Sequence, residues 1–313
     1  MITKTRGLIA APFTPFNAAG ELALESVPAY ADWLVSEEVV GAFICGTTGE
    51  GPSLTVPERL EVAEAWVKTA PASLRVIVHV GHNSLPESKR MAAHAAQIGA
   101  GAVACMPPYF FKPSGVQQVV DWCEAVAAAA PNIPFYYYHI PSMSGVGLSM
   151  AEFLKEAGPR IPNLAGIKFT FEDLEDYGAC LELEGGRYDV LFGRDEHFLS
   201  ALRLGALGAV GSTYNFAAPI YLKLMAAFAD VKEEEARALQ AQAVTLIDWC
   251  VQGPWHPIAA FKWLFWRVSG VDCGPVRAPV PLFQRSDAER LEKELKPLLE
   301  ADLLHVRQST LVS

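Results

Sequence analysis

Arg75-Val76-Ile77-Val78-His79-Val80 is a short, mostly β-branched run that is followed by a turn and then by a segment of helical period. Seven similar apolar runs occur along the chain, and consecutive runs start about 20 to 34 residues apart, the length of one strand plus one crossover helix. The eight runs lie at residues 8–11, 41–45, 75–80, 102–106, 134–138, 164–169, 188–192 and 208–211. Eight such units predict an α/β fold, the closed parallel (β/α)8 TIM barrel.

The segments between the runs carry helix start signals. Thr55 with Glu58, and Ser149 with Glu152, fit the capping-box pattern, in which a hydroxyl and a carboxylate each accept a hydrogen bond from an otherwise unpaired backbone amide. Both pairs are interpreted as structural.

Beyond the eighth run the pattern is helical at 232–251, 257–268 and 286–301, the last with a Ser-x-x-Glu start. No linker or low-complexity segment precedes these stretches. We therefore predict one structural unit, in which residues 1–230 form the barrel with the active site and residues 231–313 form a C-terminal helical extension packed on it.

An open, doubly wound sheet is the main alternative, because it has the same alternation of strands and helices. In that fold a Gly-x-Gly-x-x-Gly turn after the first strand would hold a dinucleotide, and no such turn is present here. The stretch at 46–51, Gly-Thr-Thr-Gly-Glu-Gly, lacks the lysine and the spacing of a phosphate loop. The barrel is therefore favoured.

Composition and charge narrow the class of protein. Lys and Arg number 25 against 35 Asp and Glu, which gives a net charge of −10 without any run of basic residues. Nucleic acid and anionic membranes are therefore not expected as partners. The six cysteines form no Cys-x-x-Cys pair, and no signal peptide or membrane-spanning segment is recognisable. We expect free, buried thiols and a cytoplasmic location.

Lys168 is the most informative ionisable residue. It lies near the end of the sixth run, with apolar neighbours on both sides at 165–169. Burial disfavours the ammonium form and lowers the pKa of a lysine, and a neutral amine attacks ketones to give a Schiff base. A buried carboxylate partner is the alternative explanation. Lys262, in an aromatic segment, is expected to lay its stem along apolar surface and reach solvent.

Several polar residues end or follow different predicted strands, at the rim where barrels of this kind build active sites. Tyr136 and Tyr138 share one face of the fifth strand, so both could point into the barrel mouth. The turn with Thr47 offers hydroxyls and backbone amides that suit a carboxylate. Asp195 and Ser212 follow the seventh and eighth runs.

A metal site is the competing explanation for such a rim. His79 and His82 at the third run could supply two ligands, but the sequence shows no clear third one. We therefore predict no metal.

Five segments match one known family, in order over most of the barrel. They are 46–51; 138–141 (Tyr-His-Ile-Pro) with Gly145 behind it; 166–168 (Gly-Ile-Lys); 193–196; and 211–215 (Gly-Ser-Thr-Tyr-Asn). Together they resemble the dihydrodipicolinate synthase and N-acetylneuraminate lyase superfamily of class I aldolases. The resemblance implies a homotetrameric barrel, without a cofactor, whose lysine forms a Schiff base with pyruvate or another 2-keto acid.

Two positions resemble the sialate lyases of this superfamily more than its synthases. Met143 stands where the synthases typically carry an arginine, and Phe110 stands at the second place of their usual tyrosine pair. The resemblance therefore implies cleavage of N-acetylneuraminate to pyruvate and N-acetylmannosamine.

The same resemblance implies roles for nine residues. Lys168 attacks the keto carbon, Tyr138 takes the proton from the C4 hydroxyl, and Thr47 joins Tyr138 in a proton relay. Thr48 and nearby amides hold the carboxylate. The sugar-hydroxyl side is lined by Thr170, Gly193, Asp195, Glu196 and Ser212.

Arg194 departs from the lyase pattern, in which an apolar or aromatic residue is expected. If Arg194 faces the pocket, a substrate with a second acidic group becomes plausible; if it faces solvent, the preference is unchanged. Two other functions remain open: another pyruvate-dependent aldolase or dehydratase, such as a 2-keto-3-deoxy sugar acid aldolase, and a non-catalytic sugar-acid binding protein.

Overall fold

The computed structural model describes residues 2–300, without the side chains of 296–300. Eight parallel strands in this range form a closed barrel in sequence order, with the last strand paired to the first. The strands are β1 Gly7–Ala10, β2 Gly41–Ile44, β3 Arg75–His79, β4 Ala102–Cys105, β5 Phe135–His139, β6 Leu164–Phe169, β7 Asp189–Phe192 and β8 Gly208–Gly211. The predicted barrel is therefore confirmed.

The helices of the described range surround the barrel and continue beyond it. They are α1 Val27–Ser36, α2 Val56–Thr69, α3 Leu85–Gln97, α4 Val116–Ala127, α5 Pro141–Ser144, α6 Met150–Ala157, α7 Leu174–Gly186, α8 Phe198–Arg203, α9 Ala218–Ala229, α10 Glu233–Val251, α11 Pro257–Ser269 and α12 Arg285–Glu300. None of them is long and apolar enough to cross a membrane within residues 2–300.

The alternation of side chains along each strand produces two separate apolar clusters. Tyr136 and Tyr138 belong to the cluster inside the barrel, whereas Tyr137 belongs to the larger cluster between the strands and the helices. A strand buried on both faces needs apolar side chains at every position, which is why these runs are continuous rather than alternating in sequence. All six cysteines are buried and unpaired.

The helix starts follow the sequence signals only in part. Thr55 and Glu58 form the full capping box of α2. At α6 the Ser149 hydroxyl accepts a bond from Glu152 N, as predicted, but the amides of Met150 and Ala151 bond to Asp176 of α7, and Ser149 also donates to that carboxylate. The prediction that Glu152 reaches back was therefore wrong, because a neighbouring helix supplies the acceptor.

The C-terminal extension packs on the barrel through α10, which contacts α9. Gln240 of α10 accepts a hydrogen bond from Leu199 N and donates to Asp195 O, so the extension supports the loop after β7. Helix α12 begins at Arg285, and Asp287 accepts a bond from Gln284 N, so the predicted Ser286 start was wrong by one residue. Residues 301–313 of the predicted extension lie outside the described residues.

Gly166 tests the packing of the barrel wall. A Cβ at this position would overlap the backbone carbonyl of Asp189 on β7, whereas a Cβ at Gly178, on α7, would meet nothing within 4 Å. We expect Gly166→Ala to lower the free energy of unfolding by about 3 kcal/mol or more. The matched control Gly178→Ala is expected to raise it by about 0.5–1 kcal/mol. Denaturant unfolding measures both, and an unaffected Gly166→Ala protein would contradict the packing described here.

Candidate active site

A cavity of about 290 Å³ opens at the carboxyl ends of the strands. All nine residues that the sequence pointed to line it, so the fold brings them together around one space. They are Thr47, Thr48, Tyr138, Lys168, Thr170, Gly193, Asp195, Glu196 and Ser212. Each comes from a strand end or from the loop that follows a strand.

Lys168 extends from β6 into this cavity and is only 5% exposed. No carboxylate lies within salt-bridge distance of its amine among residues 2–300. Instead, Nζ lies over the rings of Phe43 and Tyr138, 4.1 and 4.2 Å from their centroids. Burial lowers the pKa of Lys168 to about 7, and the negative charge of Asp195 opposes that shift. The amine is therefore substantially neutral near neutral pH.

Tyr138 is placed beside the lysine by the barrel register, since it pairs directly with Lys168 across β5 and β6. Its hydroxyl lies 3.3 Å from Thr47 Oγ1, and either atom could be the donor. Burial raises the pKa of Tyr138 to about 12, while the bond from Thr47 opposes this shift. The resting side chain is therefore a phenol with a hydroxyl partner.

Tyr136 points the other way along the barrel. Its hydroxyl donates to Asp189 and accepts from Arg75 at the amino-terminal end of the strands. The expectation that both tyrosines point into the mouth was therefore wrong for Tyr136, because residues two apart on a tilted strand lie in different layers of a barrel.

The turn after β2 presents Thr47 and Thr48 to the cavity. Glu50 N donates to Thr47 O, and Gly51 N donates to Gly46 O, so the turn is closed by its own backbone. Thr48 Oγ1 lies 2.7 Å from Ser212 Oγ, which ties this turn to the end of β8. The Thr48 and Ser212 hydroxyls form a polar part of the cavity lining.

Asp195 is a buried carboxylate at the cavity wall. Its Oδ2 accepts bonds from Thr213 N and Oγ1, whereas Oδ1 has no hydrogen-bond partner among the described residues. Burial raises the pKa of Asp195 to about 6, with the nearby charge of Glu196 adding to the effect. A Cβ on Gly211 would overlap this carboxylate, so a larger residue there would displace Asp195 from its present position.

Gly193 leaves space for the side chain of Thr170, as Gly211 does for Asp195. A Cβ at residue 193 would overlap Thr170 Oγ1, so the absence of a side chain lets β7 approach the loop after β6.

Arg194 lines the cavity and is partly buried. Its guanidinium pairs with Glu172 at 2.8 Å and with Glu196 at 3.5 Å. The cation is thus at the rim, where two carboxylates of the protein already balance its charge.

Lys262 and His79 are both buried, so the expectation for Lys262 was wrong. Lys262 does not reach solvent: its amine is buried beside Glu50. His79 is buried as well, with Nδ1 3.1 Å from the carbonyl of Cys45. No group of three or more His, Cys, Asp or Glu side chains in residues 2–300 is arranged to hold a metal ion.

Sequence reasoning missed part of the lining. The extension contributes Ile247 of α10 and Ile258 and Phe261 of α11, while Ser142 comes from α5. Nothing in a helical pattern distinguishes a residue that faces the barrel mouth from one that faces another helix, so no local signal could have identified them.

The family model, the curated relatives and the solved structures that resemble this chain all point to one family. The model of the dihydrodipicolinate synthetase family matches residues 4–298. N-acetylneuraminate lyase A of Xenopus laevis is 40% identical over 303 residues, which are 96% of this chain and 98% of that protein. The solved N-acetylneuraminate lyase of Proteus mirabilis superposes with a TM-score of 0.91 at 39% identity, covering 94% of this chain and 99% of the other.

A further solved structure is of a catalytic lysine mutant of the sialic acid aldolase of Ruminococcus gnavus. It has a TM-score of 0.89 and 28% identity and covers 96% of this chain and 99% of the other.

The titration of Lys168 is the direct test of this electrostatic description. We expect the NMR signal of its ¹³C-methylated amine to titrate with a midpoint of about 7. Asp195→Asn should move the midpoint lower, because that carboxylate favours the ammonium form. Lys168→Met assigns the signal by removing it. A midpoint near 10.4, the ordinary value for lysine, would contradict the burial argument.

Proposed function

The chain belongs to the dihydrodipicolinate synthetase family, and we propose that it is a carbon–carbon lyase that cleaves N-acetylneuraminate into pyruvate and N-acetylmannosamine through a Schiff base. The observation that carries the proposal is the buried Lys168 amine, without an ion-pair partner in the described chain, next to a phenol in a rim cavity. The names of the relatives select the substrate.

In the proposed reaction the neutral amine of Lys168 attacks the keto carbon of the open-chain substrate. A C–N bond forms and the former carbonyl oxygen leaves as water, which gives an iminium. This cation sits beside the Tyr138 ring and favours the phenolate form of Tyr138, because an opposite charge stabilises the ionised state. The phenol proton, relayed by the Thr47 hydroxyl, goes to the departing carbonyl oxygen, which leaves as water, and Tyr138 remains as the phenolate.

Tyr138 then takes the proton from the C4 hydroxyl. The C3–C4 bond breaks, its electron pair moves into the iminium to give an enamine, and N-acetylmannosamine departs as an aldehyde. The Tyr138 phenol then protonates the enamine carbon, which regenerates the iminium. Addition of water releases pyruvate and the free amine, and the proton set free returns to Tyr138. Every step uses groups of this chain and the substrate, so we propose that the reaction needs no metal or organic cofactor.

The remaining residues divide between the two ends of the substrate. Thr48, with the amides of its turn, is suited to the carboxylate. Thr170, Gly193, Glu196 and Ser212 are proposed to line the sugar-hydroxyl side. Asp195 joins them, since its free Oδ1 can accept a bond from a hydroxyl.

The alternatives are less well supported. A second acidic group on the substrate would meet the carboxylates of Glu172 and Glu196, which already pair with Nη2 of Arg194, although Nε of Arg194 has no partner in the described chain. Sugar-acid binding without catalysis would give no reason to hold Lys168 as a buried neutral amine, since an exposed ammonium binds a carboxylate better. The lyase reading therefore fits the cavity best.

Assembly and location are further parts of the proposal. We propose a homotetramer: Phe110 and Phe111, after β4, are 74% and 86% exposed and offer apolar surface for another subunit.

We propose a cytoplasmic location because six unpaired thiols suit a reducing compartment. The net charge of −10 argues against nucleic acid or anionic membrane as partners.

Tyr138→Phe tests the proposed function. Removal of the phenolic hydroxyl should lower kcat for N-acetylneuraminate cleavage by about 10²- to 10⁴-fold with little change in KM, because the proton acceptor is lost while the binding groups remain. Tyr137→Phe is the matched control: it removes the hydroxyl of the next residue, which faces the opposite side of the same strand. Pyruvate release measures both rates. An active Tyr138→Phe protein, or an inactive wild type, would overturn the proposal.

A further inference from the structure

Lys262 and Glu50 form a buried ion pair that the proposed reaction does not use. Nζ lies 3.2 Å from Glu50 Oε1, and the two side chains are 2% and 1% exposed. Nζ also donates to Thr14 O at 2.8 Å and to Pro275 O at 2.7 Å, so each of its three N–H groups has an acceptor. Because desolvation of two charges offsets most of their attraction, such a pair does little for stability compared with an apolar replacement. The pair joins helix α11 to the turn at 46–51, and this position suggests a role other than stability.

Glu50 belongs to the turn at 46–51 and adopts a strained conformation. Its φ is 54°, in the left-handed region that non-glycine residues rarely occupy. Such a conformation persists only where surrounding contacts fix it. Here both carboxylate oxygens are held from the C-terminal extension: Oε1 by Lys262 and Oε2 by the backbone N–H of Arg277, at 2.7 Å.

A second connection reaches the turn through Thr14. The carbonyl of Thr14 accepts from Lys262 Nζ, and its hydroxyl donates to Gly49 O at 2.6 Å. Lys262 thus contacts the turn directly at Glu50 and through one residue at Gly49. These are the two positions that follow Thr48.

The helix that carries Lys262 also forms part of the cavity wall, through Ile258 and Phe261. Lys262 itself does not line the cavity. Removing the ion pair would therefore free the turn without deleting a group that touches substrate.

From this geometry we propose that Lys262 is a positioning residue for the carboxylate-binding turn. Through Glu50 and Thr14 it fixes where the Thr48 hydroxyl and the turn amides stand, and so sets the affinity for the 2-keto acid carboxylate. The inference rests on the proposed function, in which this turn holds that carboxylate.

Lys262→Met separates this role from a merely structural one. We expect KM for N-acetylneuraminate and Ki for pyruvate as product inhibitor to rise by about ten-fold or more, because small displacements of a binding group are costly. We expect kcat to change by less than about three-fold, since Lys168 and Tyr138 are untouched. Leu264→Ala, a buried apolar truncation on the same helix, is the control: it should lower Tm with KM and Ki unchanged.

Glu50→Gln is the second variant, for the case that Lys262→Met does not fold. It keeps the size of the side chain and leaves a lysine that can lose its proton, and it should raise KM and Ki in the same way. Unchanged KM and Ki in the folded variant, or the same changes in Leu264→Ala, would overturn the positioning role. A wild type that does not cleave N-acetylneuraminate would instead overturn the proposed function.

Discussion

A lysine amine held out of water is the constraint on which the rest of this structure depends. Full burial of an ammonium carries a desolvation penalty of several kcal/mol, so the group responds by losing its proton more readily. The barrel imposes this burial because side chains from its strands fill its interior, and Nζ of Lys168 lies over the rings of Phe43 on β2 and Tyr138 on β5. The direct pairing of residues 138 and 168 across β5 and β6 places phenol and amine side by side.

The cavity around this pair is a joint product of the barrel and its extension. Gly193 and Gly211 let the backbone of the last strands come close to Thr170 and Asp195, two residues of the cavity lining. Helix α11 closes another side and, through the Lys262–Glu50 pair, reaches the turn that carries Thr48. Without the extension, Glu50 would keep its strained conformation but lose both hydrogen-bond partners of its carboxylate.

The sequence predicted the barrel well because β-branched runs at regular spacing reflect a local requirement of each strand. It also predicted which residues gather at the rim, since the ends of parallel strands meet at one face of a barrel. It failed where the outcome depends on distant contacts. The direction of Tyr136, the acceptor at the start of α6 and the burial of Lys262 are each decided by a partner far away in the chain. No local pattern carries that information.

The central claim is that Lys168 is a nucleophilic amine that forms a covalent bond with the keto carbon of its substrate. Reduction with borohydride in the presence of pyruvate, followed by mass mapping of peptides, tests it most directly. The account predicts a reduced pyruvate adduct on Lys168, with loss of activity in step with labelling. Absence of an adduct, or an adduct on a different lysine while Lys168 stays unmodified, would contradict the account.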